Sequence, residues 1–189
     1  RRRGLPLEGV RIVDLSRAWA GPYGTRYLAD FGAEVIKVDT AKYPPGREPA
    51  SPSYGEVNRN KRPITLNFQT SEGRDLLKRL VAVSDVVVEN FSPRVMAKYA
   101  LGYADLCKVR PDLIMVSLPG YGRSGPHGRF VSFGGPLMAY SGMSLLWGYA
   151  DSPPDAHCKL AYPDYIAAAT CALAVLTALH YRARTGQGQ

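Results

Sequence analysis

A strand-like run, a helix-like run and a second strand-like run follow one another within the first 40 residues, and this order constrains the fold more than any other feature. Residues 10–15 and 34–38 are rich in β-branched and aliphatic side chains, and residues 23–31 between them suit a helix. Gly32 follows the helical segment, where a glycine commonly ends a helix. The sequence therefore predicts a βαβ unit, whose crossover is right-handed and whose two strands are parallel.

The same alternation continues along the chain. Further strands are predicted at residues 63–68, 85–89 and 113–118; helices are predicted at residues 71–83, from Ser92 onward and after Asp164. We interpret residues 41–55, which are rich in proline, serine and glycine, as a surface loop. The pattern predicts an α/β fold with a doubly wound, mostly parallel, Rossmann-like sheet and helices on both faces. We expect one large domain over residues 7–189, preceded by a basic linker at residues 1–6.

The net charge points to an anionic ligand. The formal net charge is +8, of which Arg1, Arg2 and Arg3 supply three charges, so the rest of the chain carries near +5 (8 minus 3). The most cationic run, residues 58–62, contains no aromatic side chain, whereas single-stranded nucleic acid sites combine basic residues with stacking aromatics. We therefore expect no nucleic acid partner.

The cysteines and the hydropathy pattern limit the class of protein further. Cys107, Cys158 and Cys171 form no CxxC pair, so we expect neither a disulfide scaffold nor a metal, and the odd number favours a reducing compartment. No apolar signal segment follows the basic start, so we expect a cytoplasmic protein. The most apolar stretch, residues 165–179, covers 15 residues, which predicts no membrane span.

Four loops are expected to share one edge of the sheet, because ligands of such sheets bind outside the carboxyl ends of the strands. These loops are residues 16–21, 39–40, 90–92 and 119–122. Residues 20–24 form either a tight turn or a helix start that receives a phosphate. Residues 58–62 contain three cations, Arg59, Lys61 and Arg62, and form either a solvated loop or a phosphate clamp.

Asp164 is the principal catalytic candidate, since it precedes a long alanine- and leucine-rich helix. From the residue alone it is either an N-cap, because aspartate is among the preferred capping residues, or a nucleophile on a rigid element. His127 and His157 are either bases or ordinary loop histidines, and neither has a serine or cysteine nucleophile motif nearby.

The chain resembles the class III CoA-transferases, the family that includes the formyl-CoA:oxalate and carnitine CoA-transferases. The matching segments, in chain order, are residues 7–15, 20–22, 28–38, 60–62, 85–91, 120–122 and 184–189. Members of this family are about twice as long, so we expect this sequence to be the N-terminal half. The resemblance implies that Asp164 attacks an acyl-CoA thioester, giving a mixed anhydride and then an aspartyl-CoA thioester, from which a carboxylic acid acceptor receives coenzyme A.

The resemblance also implies the residues that hold coenzyme A. Ala18 and Trp19 are expected near the reacting thioester, with the nucleotide and pantetheine lined by Leu66, Gln69, Asn90, Phe91, Ser92 and Lys98, and with Lys61 and Arg62 as cations for the phosphates. Thr40 stands where the formyl-CoA enzyme has an arginine, so Lys42, Arg47 or Lys61 is expected to substitute for it. Trp19 stands where that enzyme has glutamine, which suggests a bulkier or aromatic acyl group.

Two alternatives remain open at this point. The α-methylacyl-CoA racemases resemble this sequence too, but His127 lies in a Gly-Pro-His-Gly segment and lacks their His-Asp pair. The other alternative is a CoA-binding fragment that is inactive by itself. Full-length members of the family form interlinked dimers, so a homodimer is expected for the complete protein.

Overall fold

A five-stranded sheet forms the centre of the structure, a computed structural model that describes residues 4–40, 51–149, 151 and 160–189. Its strands are β1 (Arg11–Asp14), β2 (Glu34–Asp39), β3 (Arg62–Thr65), β4 (Val86–Glu89) and β5 (Ile114–Ser117). The order is β3-β2-β1-β4-β5, and every neighbouring pair is parallel. The strand order reverses between β1 and β4, so the crevice that binds ligands in such sheets opens there. The predicted α/β class is confirmed.

The described residues form eight helices. They are α1 (Ala20–Asp30), α2 (Pro52–Asn58), α3 (Ser71–Ala82), α4 (Val95–Lys98), α5 (Tyr103–Leu106), α6 (Gly134–Tyr140), α7 (Met143–Leu146) and α8 (Tyr162–Thr185).

Alternate residues of the strands face different helices, which produces a hydrophobic core on each side of the sheet. Ile12 packs in a buried cluster with Leu28 of α1 and Cys171 of α8. Its neighbour Val13 packs in a second cluster with Leu77 of α3. Successive side chains of a strand point to opposite faces, so the two clusters lie on opposite sides. Helices therefore cover both faces, as the sequence predicted.

Several boundaries differ from the prediction. Helix α1 begins three residues earlier than predicted, at Ala20. Pro22 is tolerated in its first turn, because a backbone nitrogen there would lack a helical hydrogen-bond partner in any case. Helix α2 begins at Pro52, inside the segment that we interpreted as a loop. Ser92 does not cap α4, whose N-cap is Arg94. Residues 134–146, for which no regular element was predicted, form α6 and α7.

Helix α8 lies against α1, and a glycine permits the close approach. A β-carbon on Gly24 would lie 3.0 Å from the carbonyl oxygen of Ala168 and 3.0 Å from Cβ of Cys171. The absence of that atom lets the two backbones pack closely. This contact fixes the N-terminal part of α8, which carries the candidate nucleophile, beside the loop that follows β1.

The length argument against a membrane span was wrong, because α8 has 24 residues where 15 apolar ones were counted. By length and composition α8 is the one helix of the described residues that is able to cross a membrane. In the fold, however, Ala168, Cys171 and Val175 of this helix are buried. A core helix of a globular domain has the same composition.

Candidate active site

Asp164 lies in the first turn of α8 and does not cap it. The helix begins at Tyr162 and its N-cap is Ala161, whose carbonyl oxygen accepts a 3.0 Å hydrogen bond from the backbone N–H of Asp164. The sequence-based interpretation of Asp164 as an N-cap is therefore wrong, since the helix starts earlier than predicted. The carboxylate still benefits from its position, because the N-terminal end of a helix carries a partial positive charge.

Gly134, the first residue of α6, lies directly against the Asp164 carboxylate. A β-carbon at Gly134 would stand 2.3 Å from Oδ2 of Asp164 and 2.6 Å from Cβ of Ala161. Only glycine leaves the carboxylate room in this position. Sequence reasoning did not identify Gly134 as a site residue, although a pair of glycines outside any predicted turn was a usable signal.

An aromatic cluster borders the start of α8. The ring of Trp19 lies 6.0 Å from that of Tyr23, in a stacked arrangement, and 6.0 Å from that of Tyr165. Tyr23 and Tyr165 are 5.4 Å apart. Because Tyr165 follows Asp164 in the helix, the cluster joins the loop after β1 to the neighbourhood of the candidate nucleophile.

A cavity of about 750 Å³ opens at the carboxyl edge of the sheet. Ala18, Leu66, Gln69, Phe91 and Lys98 line it, and all five were predicted to bind the cofactor. Further lining residues come from the same loops and their neighbours, among them Ser16, Arg17, Asp39, Thr40, Tyr54, Asn67, Phe68 and Phe133. The cavity therefore brings together the loops after β1, β2, β3 and β4, and Phe133 takes part in place of the predicted residues 119–122.

Asn90 holds the loop after β1 through its side-chain amide. Its Oδ1 accepts a 2.7 Å hydrogen bond from the backbone N–H of Arg17, and its Nδ2 donates a 2.8 Å hydrogen bond to the carbonyl oxygen of Arg17. The next residue, Ala18, has φ +60°, in the left-handed region that non-glycine residues rarely occupy. Asn90 thus supports a strained loop beside the cavity but does not itself line the cavity. Ser92, which is exposed, and Trp19 do not line it either.

Lys61 points into the interior and not into the cavity. Its Nζ donates to Oδ2 of Asp14 at 2.9 Å, to the carbonyl oxygen of Pro22 at 2.7 Å and to Oδ1 of Asn58 at 2.9 Å. These bonds use all three protons of the ammonium group. In this arrangement Lys61 has no proton available to a phosphate. It therefore does not replace the arginine that the formyl-CoA enzyme has at the position of Thr40. Lys42 and Arg47, the other candidates for that role, lie outside the described residues.

Two buried lysines neutralise Asp14 at the centre of this arrangement. Burial opposes ionisation, but Lys37 and Lys61, with hydrogen bonds from Ser16 and Thr25, outweigh it and hold the pKa of Asp14 well below its usual range. Burial lowers the pKa of Lys61 to about 8, and the attraction of Asp14 offsets only part of that effect. The cluster fixes β1, the following loop and the start of α1 relative to one another.

Arg62 lies at the opposite edge of the sheet. It begins β3, and its guanidinium forms a 2.7 Å ion pair with Glu34, the first residue of β2. The side chain of Arg62 is 77% exposed. Arg62 therefore lies at the amino ends of the strands, whereas the cavity lies at their carboxyl ends.

His127 belongs to an aromatic cluster of its own. Its Nε2 lies 2.8 Å from the hydroxyl oxygen of Tyr140, and the rings of Tyr121 and Phe130 lie 6.2 and 4.9 Å from its ring. His157 lies outside the described residues. Within the described part of the chain, no three His, Cys, Asp or Glu side chains are grouped so that they could hold a metal ion.

Comparison with known proteins gives a consistent result. The sequence model of CoA-transferase family III matches residues 7–189. Succinyl-CoA--D-citramalate CoA-transferase of Chloroflexus aurantiacus is 39% identical, with 97% of this chain and 48% of the relative covered. Succinyl-CoA:glutarate CoA-transferase of Mus musculus is 38% identical, with 97% and 44% covered. The chain thus spans about half the length of these curated relatives.

The similarity extends to a solved structure. The crystal structure of a CAIB/BAIF family protein from Brucella suis superimposes with a TM-score of 0.93 at 36% identity, covering 99% of this chain and 52% of the other. The curated relatives named above are transferases, so these comparisons do not favour the racemase alternative.

Proposed function

The chain belongs to CoA-transferase family III, and from this premise we propose that it supplies the CoA-binding domain and the nucleophile of an enzyme that moves coenzyme A from an acyl-CoA to a carboxylic acid. One observation carries the proposal. The cavity reaches Phe133, and the next residue, Gly134, touches the carboxylate of Asp164. A thioester at that end of the cavity is close to a carboxylate that the first turn of α8 holds in place.

The proposed reaction uses the ionised carboxylate of Asp164 as a nucleophile. One of its oxygens attacks the thioester carbonyl, so a C–O bond forms and the C–S bond breaks. CoA departs as the thiolate, and a mixed anhydride of Asp164 and the acyl group remains. The thiolate then attacks the aspartyl carbonyl, releasing the first acid as a carboxylate and leaving an aspartyl-CoA thioester. The acceptor carboxylate attacks this thioester, and the thiolate finally attacks the acceptor's acyl carbon, which restores Asp164. No step requires a proton transfer.

The names of the relatives support a proposal for the substrate class. Their printed names join succinyl-CoA with citramalate and with glutarate, which are dicarboxylic acids. We take succinyl-CoA as donor and a short dicarboxylic acid as acceptor for the first assays. Trp19 and its aromatic neighbours support the competing idea of a bulkier acyl group. Comparing succinyl-CoA with an aromatic acyl-CoA as donor separates the two.

We further propose that the complete protein is a cytoplasmic homodimer. The free thiols of Cys107 and Cys171 support the cytoplasmic location. The interlinked dimers of the family support the homodimer, and so do the exposed apolar side chains of α8, of which Leu173 is 65% and Leu176 41% exposed. Light scattering of the complete protein tests the dimer, and a monomeric mass would contradict it. The alternative, that residues 7–189 bind CoA but catalyse nothing alone, is tested by assaying this segment beside the complete protein.

Replacement of the nucleophile tests the reaction itself. In the complete protein, Asp164→Asn is expected to lower the rate of transfer by about three orders of magnitude or more, because an amide cannot form the anhydride. Incubation with acyl-CoA followed by hydroxylamine should modify the Asp164 peptide of the wild type alone, as seen by mass spectrometry. Asp105→Asn, in the surface helix α5, is the matched control and should retain activity. Substantial transfer by Asp164→Asn would refute the covalent mechanism.

A further inference from the structure

Arg17 is a third cation beside two buried carboxylates that already have two buried lysines. Asp14 and Asp39 are almost fully buried, and so are Lys37 and Lys61. Lys37 lies 3.8 Å from both carboxylates, and Lys61 lies 2.9 Å from Asp14. Two positive charges thus balance two negative charges without Arg17.

The contact between Arg17 and this cluster is loose. Its Nη1 lies 3.4 Å from Oδ1 of Asp39, and its side chain is 33% exposed, compared with 3% for Asp39. Asp39 also accepts a short hydrogen bond from the hydroxyl of Tyr54, in addition to its attraction to Lys37. If Arg17 turned away, Asp39 would keep both of these partners. A buried carboxylate that retains its partners does not incur the large cost of an isolated charge.

The backbone of Arg17 is fixed while its side chain is not. Both the N–H and the carbonyl of Arg17 are bonded to the amide of Asn90, so the loop does not depend on the guanidinium for its position. The side chain lines the 750 Å³ cavity at the crevice between β1 and β4. A guanidinium in this position offers a ligand five N–H donors in a planar fork, and this arrangement suits a phosphate.

We propose that Arg17 binds a phosphate group of the nucleotide part of coenzyme A and that Asp39 is its partner when the cavity is empty. On binding, the guanidinium exchanges Asp39 for the phosphate, and Tyr54 and Lys37 keep the carboxylate satisfied. Arg17 thereby supplies the cation that Thr40 does not. This proposal rests on the proposed function, because it takes coenzyme A as the ligand.

Titration calorimetry of the complete protein with CoA and with dephospho-CoA tests the proposal. Arg17→Met keeps the length of the side chain and removes its charge, and we expect it to raise the Kd for CoA by about tenfold to a hundredfold, as for a lost charge-assisted hydrogen bond. The plot of log Kd against log salt concentration should also become less steep. Arg62→Met, which removes an exposed arginine at the far edge of the sheet, should change neither quantity.

The two ligands identify the phosphate. A loss with CoA alone assigns Arg17 to the 3′-phosphate, and a loss with both assigns it to the pyrophosphate; each result supports the proposal. A Kd within twofold of the wild type, or a weaker Kd with unchanged salt dependence, would overturn it. If the wild type itself does not bind CoA, the proposed function fails as well. If the wild type binds and Arg17→Met binds equally, only the role of Arg17 is refuted.

Discussion

Lys61 donates a 2.9 Å hydrogen bond to Asp14, and neither side chain is exposed to solvent. The residue that the sequence offered as a phosphate ligand is therefore part of the interior. It joins the loop before β3 to the end of β1 and, through the carbonyl of Pro22, to the start of α1. The loop that carries Ala18 into the cavity is built on this junction.

Removal of Lys61 should destabilise the fold severely. We expect Lys61→Met to lower the free energy of unfolding by about 3–5 kcal/mol, because it leaves a buried carboxylate without its closest cation. Urea denaturation followed by circular dichroism measures the change. Arg62→Met is the matched control and should cost less than about 1 kcal/mol, because its ion pair with Glu34 is largely exposed. Similar losses for the two variants would show that the Lys61–Asp14 pair does not stabilise the fold.

The stability should depend on pH through Lys61. Burial lowers the pKa of Lys61 from its ordinary value of 10.5 to about 8 in the folded protein. Between these values the unfolded chain binds the proton more strongly, so the free energy of unfolding rises as the pH increases from about 8 toward 10.5. Below this window the lysine is protonated in both states and contributes no slope.

Urea denaturation of the wild type and of Lys61→Met between about pH 7 and 11 should give a smaller rise in the free energy of unfolding in the variant. Equal slopes in the two proteins would assign the pH dependence to other groups.

Enlarging Gly134 should impair catalysis without unfolding the protein. The methyl group of Gly134→Ala would overlap Oδ2 of Asp164, so the carboxylate must turn away, and a displacement of about 1 Å can reduce a rate about a hundredfold. We expect that reduction in kcat, with the free energy of unfolding lowered by about 1–3 kcal/mol, because the added β-carbon also overlaps Cβ of Ala161. Gly135→Ala, whose β-carbon would have no atom within 4 Å, should behave as the wild type. Equal activities of the two variants would place the reacting carboxylate elsewhere.

Loss of the Asn90 side chain should loosen the loop after β1. Asn90→Ala removes both hydrogen bonds to the backbone of Arg17 and should cost about 1–3 kcal/mol of stability, since two partly buried backbone groups lose their partners. The affinity for CoA should fall as well, because Ala18 loses the support of its strained conformation. Thermal denaturation and calorimetry measure the two effects. Ser92→Ala, at an exposed position nearby, is the control variant. If Asn90→Ala had the same stability and the same affinity for CoA as Ser92→Ala, the hydrogen bonds of Asn90 would not support the loop.

The amino-acid sequence was sufficient to predict the architecture. The strand runs at residues 34–38 and 85–89 and the helix at residues 71–83 were found close to where the structure has them, because side-chain periodicity records which residues are buried against a sheet. The same local information located three of the loops that line the cavity, at residues 16–21, 39–40 and 90–92, since parallel strands place their carboxyl ends on one edge. Residues 119–122, which were predicted with them, do not line it. The predicted starts of α1 and α8 were too late in the sequence, because a helix can start before its first strongly apolar residue.

The roles of the charged residues depend on the tertiary fold. Lys61 and Arg62 are adjacent and chemically similar, yet one pairs with the buried Asp14 and the other with Glu34 at the far edge. Nothing in the local pattern distinguishes them, because the direction of each side chain depends on which carboxylate the fold brings within reach. The contact between Gly134 and Asp164 is of the same kind, since it joins two helix starts that meet only after the chain has packed on the sheet.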